Sequence, residues 1–238
     1  MRRFHASIEQ FTAEIVRLGL EETRHLRDVL RLQKTDRAKV FDGGGREFLC
    51  EIETVGKKET VLRIVEETAP SAPESSLNLT LAVALLKGEK FDLVVQKAVE
   101  LGVTKLVPLD TKRADVKLKD AEKRLERWRK IALEACKQSG RAKLMRIESP
   151  VDFGRFVETA TGARILFAER DGASFSVVET SENITAVVGA EGGWEQSEIE
   201  AARARDFQIV TLSGRILRAE TAAMAIATLL QHRFGDLN

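Results

Sequence analysis

The stretch LSGRILRAETAAMAIATLLQHRFG, residues 212–235, sets a charged loop directly before an Ala-rich helix, and its reading decides the fold. From Ala219 onward, Ala222, Ala225, Ile226, Leu229 and Leu230 recur at helical spacing, which predicts a helix with one buried stripe. Arg215, Arg218, Glu220 and Thr221 crowd the start of that helix, where packing alone asks for none of them. FQIVTL at 207–212 reads as a strand, so the charged loop follows a strand's carboxyl end. A second strand, in ITAVVGAEGGW at 184–194, runs into a glycine-rich loop. In open α/β sheets ligands lie beyond the carboxyl ends of strands, so these two loops are the candidate site. Neither matches the GxGxxG or GxxxxGK[ST] pattern, which disfavours a dinucleotide fold or a P-loop NTPase.

Upstream, apolar strands alternate with amphipathic helices, the pattern of a mostly parallel sheet covered by helices. LTLAVALL (79–86), TKLVPL (104–109), KLMRIE (143–148) and RILFAE (164–169) read as further strands. KFDLVVQKAVELG (90–102) predicts a helix burying Phe91, Val94, Val95, Ala98 and Leu101 and capped by Gly102. A long helix over 120–139 turns Leu125, Trp128, Ile131, Ala132 and Ala135 inward, SPVDFGRF (149–156) opens another, and EQSEIEAARAR (195–205) forms one more. EETAPSAPESS at 66–76 carries two of the four prolines among small polar residues and reads as a linker. Before it, AKVFDGGGREFLCEI (38–52) and TVLRIVEE (60–67) are β-rich runs, and EETRHLRDVL (21–30) is a helix, which together suggest a small β-barrel.

The 238 residues suffice for two domains, and 43% apolar content is ordinary for a globular protein. No run reaches a membrane span, and MRRFHASIEQF lacks the apolar stretch of a secretory signal, so a cytoplasmic location and no membrane partner are expected. Cys50 and Cys136 lack CxxC or Cys/His partners, so neither a disulfide framework nor a metal site is expected. The net charge of +1 hides an uneven distribution: residues 111–146 hold 13 Lys/Arg against 5 Asp/Glu, and residues 148–206 hold 5 against 12. The basic stretch could meet phosphates or form a solvated, salt-bridged surface.

At the two loops the sequence resembles a known family. GAEGG at 189–193 matches a GPEGG loop, and LSGRILRAETA at 212–222 matches LGxRILRxETA, both signatures of the RsmE family of SPOUT methyltransferases. KGEKFDLVVQKAVELGVTKLVPLDTKR (87–113) and RWRKIALEACKQSGR (127–141) resemble that family's central segments, and MRRF and HLRDVLRLQKTD (25–36) are more weakly similar to its N-terminal barrel. The resemblance implies an α/β fold: a PUA-like RNA-binding β-barrel over residues 1–70, then a SPOUT-type trefoil-knotted parallel-sheet domain over 77–238. It further implies S-adenosyl-L-methionine as cofactor and a homodimer. The implied reaction methylates N3 of a uridine in the decoding region of small-subunit (16S) ribosomal RNA, within the assembled or assembling subunit.

The same resemblance assigns residues. The cofactor falls to Gly189, Glu191, Gly192 and Gly193 in the first loop and to Leu212, Gly214, Ile216, Leu217 and Arg218 in the second. Thr221 and Ala222 at the helix start and Phe167 on a strand complete that set. RNA falls to Arg3, His25 and Arg31 in the barrel and to Arg113, Gln138, Ser139 and Arg141, each of which alone could equally serve a surface contact. Glu191 is a candidate base or cofactor-orienting group, and Arg218 and Arg215 are candidates for contacts to RNA or to developing charge. Glu220 and Thr221 could instead satisfy free N–H groups at the helix start. Where the family has proline this chain has Ala190, which relaxes one backbone torsion and removes no chemical group. Two other readings stay open: a SPOUT enzyme acting on another base or a ribose, and a noncatalytic RNA-binding ribosome-assembly factor.

Overall fold

A computed structural model of the chain describes residues 2–212 and 214–237. Ser213, within the charged loop, lies outside the described residues. Contacts divide the chain into two units, residues 1–74 with 136–144 and residues 75–135 with 145–238. The expected domains, 1–70 and 77–238, differ from this division chiefly in segment 136–144.

The first unit is built on β1 (Arg3–His5), β2 (Ile15–Leu18), β3 (Arg37–Phe41), β4 (Glu47–Val55) and β5 (Thr60–Thr68), in the order β1-β3-β4-β5-β2. β1 runs parallel to β3, and the other pairings are antiparallel. Phe48, Cys50 and Ile52 alternate inward along β4 against Phe4, Leu18, Leu26, Val40 and Leu62. Register shifts in the β4–β5 ladder, at Leu49/Cys50 and Ile52/Thr54, bend the sheet in the way a PUA-like barrel requires. The expected 21–30 helix appears as α1 (Leu20–Arg24), continued by a wider turn through His25–Val29.

The second unit holds β6 (Asn78–Ala84), β7 (Lys105–Asp110), β8 (Arg146–Ile147), β9 (Val151–Asp152), β10 (Ala163–Phe167), β11 (Ala173–Ser174), β12 (Asn183–Val188) and β13 (Gln208–Thr211). Their order is β11-β13-β10-β12-β6-β7-β8, with β9 also on β7, and every pairing is parallel. The helices are α2 (Lys90–Glu100), α3 (Leu118–Glu122), α4 (Leu125–Ser139), α5 (Phe153–Thr159), α6 (Gln196–Arg203) and α7 (Ala219–Phe234). α3 and α4 replace the single helix expected over 120–139, although neither proline nor glycine marks the break. On one face of the sheet, Phe153, Phe156 and Val157 of α5 and Ala202 of α6 pack over Ala82, Leu109, Leu166 and Val187. Leu81 and Val83, alternating with Ala82 and also buried, face the other side, where α7 lies on β6 and β12 and against α2.

The buried stripe of α7 differs from the sequence expectation. Ala219, Ala223, Ile226, Ala227 and Leu230 point inward, while Leu229 is exposed and Ala222 and Ala225 are only partly covered. The inner row of alanines at every fourth position keeps side chains short where α7 meets α2 and the sheet. Both cysteines are free and buried, and burial pushes the thiols up to about 12 for Cys50 and about 11 for Cys136, as expected of inert thiols. Among the described residues, no helix is long and apolar enough to cross a membrane.

Candidate active site

β13, β10 and β12 are neighbours and parallel, so their carboxyl ends share one edge of the sheet, with Phe167 in register between Val188 and Val210. A cavity, partly open to solvent, lies there. It draws together Phe167, Gly189, Glu191, Leu212, Ile216, Leu217 and Ala222 of the expected set. Glu169, Arg215 and Ile226 also line it, whereas Gly192, Gly193, Gly214, Arg218 and Thr221 do not.

The GAEGG loop folds back on itself, the Gly193 N–H donating to the Ala190 carbonyl at 3.0 Å, so the turn closes without the family's proline. Gly193 has a φ of +70°, the left-handed region that favours glycine, and its bare Cα lets the Glu169 carboxylate lie against the loop. A Cβ on Gly189 would meet the Trp194 indole at 3.0 Å. Trp194, buried, donates from Nε1 to the Phe167 carbonyl at 2.9 Å and stacks at a tilt on Phe153, with ring centres 5.0 Å apart. It thus ties the first loop to the end of β10.

Arg113 reaches the same loop from the segment after β7. Its guanidinium donates to the Gly192 carbonyl at 2.8 Å and to Glu195 Oε1 at 2.7 Å. Beside it, buried Glu198 accepts from the N–H groups of Lys112 and Glu195, both at 2.9 Å. Arg113 therefore braces the loop, a use the assignment to RNA did not foresee. At the cavity wall, Lys90 Nζ donates to Glu191 Oε1 at 2.7 Å.

In the second loop Gly214 takes a φ of +107°, and Ile216 is 68% exposed, an apolar side chain left at the cavity rim. Arg218 is the N-cap of α7; its carbonyl accepts from the Ala222 N–H at 2.8 Å, while its side chain is exposed. Glu220 is buried, and its Oε2 has no hydrogen-bond partner among the described residues, so that oxygen is not satisfying the helix start. Thr221 is exposed.

The first unit holds the other residues expected to meet RNA. Two of them have side chains that are nearly covered. Arg3, with a side chain 9% exposed, donates to the carbonyls of Cys136, Lys137 and Arg141 and to Glu47. Arg141, at 5%, forks onto Glu74. Both guanidinium groups are committed to packing and are not presented to phosphate. Arg31 and Gln138 are exposed, Ser139 is half-buried with its hydroxyl on the Cys136 carbonyl, and His25 is half-buried edge-on to Phe4. The sequence reading missed Trp194, Glu169 and Lys90 as site residues; their only signal was position, within or beside motif segments already singled out.

The RNA methyltransferase domain family matches residues 73–231, and the RNA methyltransferase PUA domain matches residues 19–65. The ribosomal RNA small subunit methyltransferase E of Synechocystis is 37% identical, over 90% of this chain and 72% of its own length. The crystal structure of ribosomal RNA small subunit methyltransferase E from Neisseria gonorrhoeae, bound to S-adenosyl methionine, superposes with a TM-score of 0.92 at 32% identity, covering 100% of both chains. A methyltransferase from Legionella pneumophila in complex with the same cofactor gives a TM-score of 0.91 at 31% identity, over 99% of this chain and 98% of that one.

Proposed function

The chain belongs to the ribosomal RNA small subunit methyltransferase E family, and we propose that it methylates N3 of a uridine in the decoding region of small-subunit ribosomal RNA, using S-adenosyl-L-methionine. The observation that carries this reading is the cavity at the carboxyl ends of β10 and β12, closed by the GAEGG and GRILR loops. Its residues fit the cofactor. Phe167, Leu212, Ile216 and Ile226 offer apolar walls for an adenine, and Glu169 and Glu191 offer carboxylates to a ligand carrying a sulfonium and an ammonium. When bound, S-adenosyl-L-methionine supplies an electrophilic methyl group.

The chain's own task is to place a uracil beside that group and to manage its N3 proton. Glu191, in the wall, is the proposed proton acceptor or orienting carboxylate. Arg218, exposed at the start of α7, and Arg215, on the cavity lining, are the proposed cations for RNA or for the charge that uracil develops as the proton leaves. The target base must leave its stack before N3 is reachable. The reading includes the trefoil knot, for which the support is that α7, after the outlying β13, returns to pack on β6 and β12. It also includes a homodimer, supported by the exposed Leu229 on α7, and a cytoplasmic setting.

The deciding experiment incubates the protein with labelled S-adenosyl-L-methionine and small subunits lacking the modification, then identifies methylated nucleosides by mass spectrometry. 3-Methyluridine is expected; a different methylated nucleoside, or none, refutes the stated reaction. Arg218→Ala should reduce transfer about a hundredfold with the melting temperature unchanged, since the side chain is exposed. Near-normal turnover removes Arg218 from the site. Arg113→Ala should weaken cofactor binding roughly tenfold in calorimetry by unbracing the loop at Gly192. A loss confined to RNA affinity would return Arg113 to phosphate contact.

A further inference from the structure

Lys90 has no role assigned so far, yet it stands beside Glu191, and Glu220 keeps a buried carboxylate oxygen with no hydrogen-bond partner among the described residues. Lys90 opens α2 and Glu220 lies in the first turn of α7, two helices packed side by side. At their far ends, Gly102 meets Gln231, where a Cβ on the glycine would lie 2.7 Å from Gln231 Nε2. The helices therefore run parallel, and both amino-terminal ends, with their partial positive charge, sit together. That setting favours an anion, but a carboxylate is still costly to bury without hydrogen bonds. Glu220 is only 9% exposed, and its Oε2 is wholly buried and unpartnered among the described residues. The nearby cation is Lys90, whose ammonium is held above its ordinary value, first by the hydrogen bond to Glu191, with Glu220 adding and Arg218 opposing.

Resting on the reading of this cavity as a methyl-transfer site, we propose that Lys90 is a positioning residue for Glu191, anchored in turn by Glu220. The ammonium, carried at the start of α2, hydrogen-bonds a carboxylate on the glycine-rich loop at 2.7 Å and lies in the field of the buried Glu220 carboxylate on the packed helix α7. A loop with glycines at 189, 192 and 193 has little stiffness of its own, so a tether to the helix pair fixes where Glu191 points before substrate arrives. Trp194 and Arg113 brace the loop's stem and back; Lys90 holds the loop's own charged side chain at the cavity wall.

The test compares Lys90→Met, Lys90→Arg, Glu220→Gln and the Met/Gln double variant in the full-length protein. Two measurements are made: hydrogen exchange at the amides of residues 189–193 without ligand, and single-turnover methyl transfer to small-subunit RNA. Lys90→Met and Glu220→Gln should each speed loop exchange, and Lys90→Met should slow transfer about tenfold or more without a matching loss of RNA affinity. Lys90→Arg, which keeps the charge, should restore both to near wild type. The double variant should lose no more than the worse single one, as members of one chain of contacts do. Unchanged exchange in Lys90→Met, or fully additive losses in the double variant, overturns the proposal. Wild-type protein that transfers no methyl group but shows this exchange pattern would refute the methyltransferase reading while leaving the tether standing.

Discussion

Trp194→Ala is expected to lower stability by about 3–5 kcal/mol and to abolish binding of S-adenosyl-L-methionine. The indole is 5% exposed and fills the space between Phe153, in the core beneath α5, and the backbone of the GAEGG loop. Its removal opens a cavity, and it also leaves the Phe167 carbonyl without the Nε1–H that now satisfies it at 2.9 Å. Both losses fall at the cavity wall, because Phe167 and Gly189 each line it and each touch Trp194. Trp194→Phe separates the two effects: it keeps most of the volume and removes the hydrogen bond, so it should cost about 1 kcal/mol and leave weakened binding. Urea denaturation and calorimetric titration check both variants. An alanine variant that folds with wild-type stability, or binds cofactor normally, would show that the indole does not support the site.

The loops of this site were legible because glycine and charge stand out against an apolar background. Strands such as ITAVVG and FQIVTL end where their apolar runs end, and the residues that follow cannot be core. What holds the loops was not legible. Arg113 follows β7 by three residues, yet its partners Gly192 and Glu195 lie 79 and 82 positions away. Lys90 and Glu191 are 101 apart. Spacing within a segment carries no information about such pairs; only the parallel order of β12, β6 and β7 brings them to one edge. The same limit explains α7. Helical periodicity finds Ile226 and Leu230, but on a helix rich in alanine the choice of Ala223 and Ala227 over Ala222, Ala225 and Leu229 is made by α2 and the sheet. It also explains Arg3 and Arg141, since an arginine facing phosphate and one folded onto carbonyls or a carboxylate look alike in sequence.

Arg3→Ala should destabilise the first unit by about 3–5 kcal/mol, because it breaks a buried ion pair from one side. Glu47 is fully buried, with Arg3 at 3.1 Å, Lys39 at 3.1 Å, and the Ser71 N–H and hydroxyl both at 2.9 Å. Burial by itself pushes the Glu47 carboxyl up, but hydrogen bonds from Arg3, Ser71 and Lys39 outweigh it and hold the group below the ordinary glutamate value of 4.5. A carboxyl whose folded value is depressed contributes stability above its unfolded value and loses it as pH falls through the folded one. Wild type should therefore shed part of its stability below about pH 4.5, and Arg3→Ala should shed less there, having already lost the largest hydrogen-bonding contribution to the depression. The variant also removes one donor from each of the carbonyls of Cys136, Lys137 and Arg141, which now accept from Arg3 at 3.0 Å each, so segment 136–144 should exchange its amides faster. Urea melts across the acid range, with hydrogen exchange on the same samples, measure both effects. A loss below about 1 kcal/mol with an unchanged pH profile would mean that Lys39 and Ser71 alone carry the buried charge, and would reopen Arg3 as a residue available to RNA.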